Sequence, residues 1–120
     1  EYDLQFKDVK GMDHGIMYRS INAKEVDVIN SYTTDGQLQM YNLRVLEDDK
    51  GYFPPYHALP LVRTEVLEQY PEIGKVLLEL AGKIDETAMQ EMNAKVDNEG
   101  QMVELVAKEF LQEAGFISKE

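Results

Sequence analysis

The chain has no cysteine. Disulfides, thiol nucleophiles and cysteine-held zinc are excluded with it. Histidine is scarce as well, with only His14 and His57, too few for a histidine-rich metal centre. Neither stands in a nucleophilic pattern with Ser or Asp, and the G-x-S-x-G, P-loop and H-E-x-x-H signatures are all missing. No feature calls for catalysis, a cofactor or a metal. Basic residues are outnumbered, 12 Lys and Arg against 23 Asp and Glu, for a formal net charge of −11. Nucleic-acid affinity comes largely from Lys and Arg on phosphates, so nucleic acid is set aside as a partner. Anionic lipid is disfavoured for the same reason. No stretch of about 18 apolar residues is present to span a bilayer, and no signal-peptide pattern is visible. The opening residues already read as strand, which suggests a piece cut from something larger.

What is present suffices for a core. The 120 residues are 43% hydrophobic, with a mean hydropathy of −0.43, the profile of one domain or part of one. Residues 2–9 alternate Tyr2, Leu4 and Phe6 with polar neighbours, the period of a half-buried strand. Asp13 is placed to cap a helix over 14–23, with Ile16, Met17 and Ser20 on one side. The Val- and Ile-rich run 25–32 predicts a second strand, and 43–48 and 57–63 predict two more, Pro60 suiting an edge or a bulge. Thr33, Thr34 or Asp35 would cap a short helix starting at Gly36. Helices follow over 65–69, over 71–81 with Pro71 at its first position, from Asp85, and over 101–114 with Gly115 as the stop. This order of elements predicts an α/β fold, its first third a β-α-β unit with parallel strands.

Two motifs are candidates for function. "SYTTDG", residues 31–36, lies where a strand should end and a helix begin, the usual place for a ligand in an open α/β sheet. Its hydroxyls and free N–H groups suit an anion or a carbonyl, or serve only the backbone as caps. "GYFPPYHALP", residues 51–60, gathers Tyr52, Phe53, Tyr56 and His57 around two adjacent prolines. Tyr32 and Tyr56 each fall at an expected strand end beside a bend. Paired tyrosine faces can cage a quaternary ammonium, a cation with no N–H to hold by hydrogen bonds. The prolines would stiffen the support and reduce the entropy lost on binding. The plainer alternative is that Phe53 and Tyr56 plug the edge of the core. "EDDKG", 47–51, lacks calcium-loop spacing and reads as a solvated turn. The methionines read as packing.

The runs "EVDVINSYTTDGQL", "LRVLEDDKGYFPPYHALPLVR", "LAGKIDETAMQEMNAKVD" and "VAKEFLQEAGF" resemble the substrate-binding proteins of osmoprotectant ABC importers, which carry glycine betaine, choline, carnitine and related quaternary amines. The resemblance extends over essentially the whole chain and implies a two-lobed fold of the type II periplasmic-binding-protein kind. Residues 1–34 would close lobe two with the β-α-β unit. Residues 35–120 would supply the return hinge, two strands and the C-terminal helices of lobe one. Tyr32 and Tyr56 would be two walls of an aromatic cage, with Thr33 and Asp35 near the cleft and hinge. The remaining walls would come from an N-terminal half that precedes this chain. Met12 stands near where some relatives carry an aromatic; its thioether would line the pocket differently, which makes a bulkier betaine such as ergothioneine the alternative ligand. The implied setting is extracytoplasmic, as a periplasmic protein, a lipoprotein or a module fused to the permease. A second alternative is that the fragment pairs its exposed strand edges with another copy, as a swapped homodimer that binds no ligand.

Overall fold

A computed structural model describes residues 2–118. Six helices are formed among them: α1 (His14–Asn22), α2 (Gln37–Met40), α3 (Thr64–Gln69), α4 (Pro71–Glu79), α5 (Glu86–Asp97) and α6 (Val103–Glu113). The chain folds as two compact units. The first is built from the chain up to Leu46 together with the chain from Glu86 onward; the second is Glu47–Asp85.

The helices lie close to where capping and periodicity predict them. Pro71 opens α4 at its first turn, where its missing N–H costs nothing. The expected side-chain caps are not made: Asp13 before α1 contributes no side-chain hydrogen bond, the N-cap position of α2 falls on Gly36, which has no side chain, rather than on Thr33, Thr34 or Asp35, and the residue before α3 is Arg63, with Thr64 already inside the helix. The C-termini are better defended. After α6, Gly115 takes a φ of +79°, its N–H donates to the carbonyl of Gln112, and the N–H of Phe116 donates to that of Leu111. This is the paired Schellman closure. Lys24 (φ +61°) closes α1 in the same way, with the N–H of Glu25 on the carbonyl of Ser20, and Asn42 (φ +50°) closes α2, with the N–H of Leu43 on that of Leu38.

The four predicted strands are not formed. Among the described residues there is no ladder, and 2–9, 25–32, 43–48 and 57–63 lie outside regular structure. The β-α-β unit of the first third is thus a lone helix between irregular segments. The reason is physical: a strand satisfies its backbone only through a ladder with a neighbour, and among the described residues these segments form none with one another. Their apolar side chains, among them Leu4, Phe6, Val28, Val45 and Leu61, are correspondingly exposed.

In the first unit the core is small. Met17 and Tyr18 from α1 and Leu38 from α2 are buried together, and Met12, Ile29, Tyr41 and Leu43 pack against them. Tyr18, rather than the expected Ile16, joins Met17 on the buried side; Ile16 is exposed. Helix α2 packs on α5, and α5 on α6, which buries Val106. Gly36 makes the α2–α5 approach possible: a Cβ there would stand 2.6 Å from the Ala94 backbone nitrogen and 2.7 Å from its Cα. In the second unit α3 packs on α4, with Leu67 and Ile73 half-buried.

Backbone cannot yield as a flexible side chain would. Gly36→Ala is therefore expected to destabilise the first unit by about 1–3 kcal/mol through overpacking. Gly115→Ala has open space around it and should lose only about 1–2 kcal/mol, from the left-handed conformation itself. Denaturant midpoints of the two variants, at unchanged slope, test both the size and the order.

A carboxylate-centred turn as the candidate functional site

The SYTTDG segment folds as a turn gripped from two sides. On one side is the carboxylate of Asp35. Its Oδ2 accepts a hydrogen bond from the Tyr18 hydroxyl at 2.5 Å and another from the Tyr32 backbone N–H at 3.1 Å, and His14 Nε2 lies 3.2 Å from the same oxygen. The Asp35 N–H in turn donates to the Tyr32 carbonyl at 3.1 Å, so the turn closes on itself. The carboxylate that was expected to cap α2 points back along the chain instead. His14 and Tyr18 are four residues apart on α1 and so share one face, which is how both reach Asp35. Their rings meet edge to face, with centroids 5.3 Å apart and planes at 79°.

On the other side is α5. Its residues 86, 90 and 93 recur at helical spacing and reach the turn in succession. Gln90 donates to the Thr33 carbonyl, and Asn93 donates to the Thr34 carbonyl at 2.8 Å. The Thr33 hydroxyl donates to the Glu86 carboxylate at 3.2 Å. Just past α5, Asn98 donates to the Gly36 carbonyl at 3.3 Å. Side-chain amides thus supply partners to carbonyls of the turn, that of Gly36 being shared with the Met40 N–H of α2.

The predicted site residues occupy distinct places. Tyr32 sits at the start of the turn with its ring 63% exposed, tilted at 42° beside His14 with centroids 6.0 Å apart. Thr33 is committed to α5 through both its hydroxyl and its carbonyl. Met12 is partly buried against the core formed by Met17, Tyr18 and Leu38. Tyr56 belongs to the second unit, where it is 91% exposed, so it does not plug a core edge there. Tyr52 and Phe53 pack, but on each other: their rings meet edge to face at 5.0 Å, and both stay exposed. The Phe53 N–H donates to the Asp48 carboxylate at 2.8 Å, which gives "EDDKG" a structural use as the anchor of that turn. Sequence reasoning passed over His14 and Tyr18; their spacing of four after a helix start was the available signal.

Residues 1–113 match the family described as the substrate binding domain of the ABC-type glycine betaine transport system. The chain belongs to this family. A carnitine transport binding protein, OpuCC of Listeria monocytogenes, is 38% identical over 115 residues, which is 96% of this chain and 37% of that protein. The ergothioneine transport permease/ergothioneine binding protein EgtU of Helicobacter pylori is 36% identical over 114 residues, 95% of this chain and 21% of that protein. A crystal structure of a glycine betaine/carnitine/choline ABC transporter superposes with a TM-score of 0.88 at 39% identity, over 97% of this chain and 43% of that one. That match is consistent with a periplasmic-binding-protein-like fold. The chain spans less than half the length of these relatives. Among the described residues no helix is long and apolar enough to cross a membrane.

Tyr18 carries the site's electrostatic signature. Burial, the hydrogen bond to Asp35 and the charge of that carboxylate raise its hydroxyl well above the ordinary tyrosine range. Below about pH 10 the hydroxyl is protonated in both folded and unfolded chains. Above that the unfolded chain loses its proton first, so folding stability falls as pH rises from about 10 towards the folded value. Tyr18→Phe removes this contribution. Its denaturant midpoint, compared with that of the parent at about pH 8 and about pH 11, should decline less; parallel declines would show that the hydroxyl is not coupled to folding.

Proposed function

We propose that this chain is part of an extracytoplasmic solute-binding module of an ABC importer for quaternary amines of the glycine betaine, choline and carnitine type, and that it has no catalytic role. The observation that carries the reading is Tyr32: a largely exposed aromatic face whose backbone is locked by Asp35, in a chain of the glycine betaine-binding family. A quaternary ammonium offers no N–H, so its recognition falls to π faces. Tyr32 serves as one wall of the cage. Tyr56 is assigned as another by the family resemblance, on its Pro54–Pro55 support. Thr33 borders the site, and Met12 shapes it from the side of the core.

The chain lies in two lobes: residues 1–34 complete lobe two, and 35–120 supply the return hinge and the tail of lobe one, with closure about residues 33–43. The apolar segments 2–9, 25–32, 43–48 and 57–63 become strands when the N-terminal half of the same protein pairs with them. The partner in transport is the importer's permease, separate or fused. EgtU is named as both permease and binding protein, and that relative also supports ergothioneine as the alternative ligand. A swapped homodimer of the fragment is the competing assembly, in which the same apolar segments pair with those of a second copy.

Isothermal calorimetry on the complete protein with choline, glycine betaine, carnitine and ergothioneine tests the cage. Each of Tyr32→Ala and Tyr56→Ala should weaken the preferred amine by roughly 2- to 30-fold, the range of one cation–π wall. Unchanged affinity for all four would remove the cage. Light scattering of the 120-residue chain decides the assembly, and a clean monomer at high concentration counts against the swapped dimer.

A further inference from the structure

We infer that Asp35 and His14 are positioning residues for the cation site: together they fix the Tyr32 ring, so that affinity depends on both without either touching the ligand. The inference rests on Tyr32 being a cage wall. A ring this exposed has little core packing to hold it, so what holds it must act through its backbone and its rim. Asp35 supplies the first hold. One oxygen takes the Tyr32 N–H and the hydroxyl of Tyr18, which is 1% exposed, so the backbone of the exposed ring is tied to the most buried side chain of the unit. His14 supplies the second. Its ring stands edge-on to Tyr18 and tilted beside Tyr32, with Nε2 kept on the same carboxylate oxygen. It fills the step between a fixed ring and a free one. A wall ordered before the ligand arrives need not be ordered by it, and that saving appears as affinity. The negative charge of the carboxylate strengthens each bond it accepts, which a neutral amide would not do to the same degree.

The test uses the complete protein, choline as the probe, and two readouts. Calorimetry should show Asp35→Asn and His14→Ala each weakening choline about threefold and Asp35→Ala about tenfold. In a Tyr32→Ala background, Asp35→Asn should cost less than about twofold, because no ring remains to be placed. Without ligand, the NMR signals of the Tyr32 ring should shift in Asp35→Asn, His14→Ala and Tyr18→Phe, with the fold confirmed by thermal melting. If Asp35→Ala does not fold, the Asn and Phe variants still decide the matter. Equal losses with and without the Tyr32 ring, or Tyr32 signals unmoved by Asp35→Asn, would overturn the inference. If Tyr32→Ala itself keeps full affinity for choline, glycine betaine and carnitine, the cage has failed and the inference falls with it. The ligand-free spectra separate the two failures: moved ring signals without affinity loss indict the cage, unmoved signals indict the positioning.

Discussion

One carboxylate oxygen organises the first unit. Asp35 Oδ2 gathers a buried hydroxyl, a backbone N–H and an imidazole nitrogen, and each comes from a different local structure or register. The convergence has a cost, since a largely buried carboxylate is stable only when hydrogen-bonded. It also sets geometry, because two donors and an imidazole nitrogen with fixed origins leave the acceptor a single place. The turn that displays Tyr32 inherits that place from α1 rather than from α2, the helix it precedes.

Gly36 works with Asp35 from the next position. Its lack of a side chain lets the α5 backbone come close enough for Gln90, Asn93 and Asn98 to reach three carbonyls of the turn. The Asp-Gly pair is thus a two-sided device: the acid fixes the turn to α1, and the glycine admits α5. A capping role would have needed only the acid, and a tight turn only a positive φ, which Gly36 does not have.

The helices were legible in the sequence because their causes are local. Pro71 and Gly115 act on their own turns, and the apolar spacing of Ile73, Val76, Leu77 and Leu80 marks a side on which Ile73, Leu77 and Leu80 are half-buried while Val76 stays exposed. The strands were legible only as patterns. Alternation at Tyr2, Leu4 and Phe6 states what a strand would bury, whereas the ladder depends on a neighbour that no local pattern contains. The candidate site falls between these cases. "SYTTDG" and Tyr32 could be singled out from residue types. The direction taken by the Asp35 side chain could not, because it is decided by Tyr18 and His14 on another element. The exposure of Tyr56 and the mutual packing of Tyr52 and Phe53 were likewise tertiary facts that the two prolines among four rings did not reveal.

The two grips on the turn differ in chemical kind. Asp35 holds by charge, so its hold belongs to the class of interactions that ionic strength can modulate. On the α5 side three carbonyls are held by carboxamides, which neither titrate nor attract counterions; a charge enters only where the Glu86 carboxylate accepts the Thr33 hydroxyl. The three amide-held carbonyls keep their partners as salt rises, because dissolved ions have no charge at those contacts to screen.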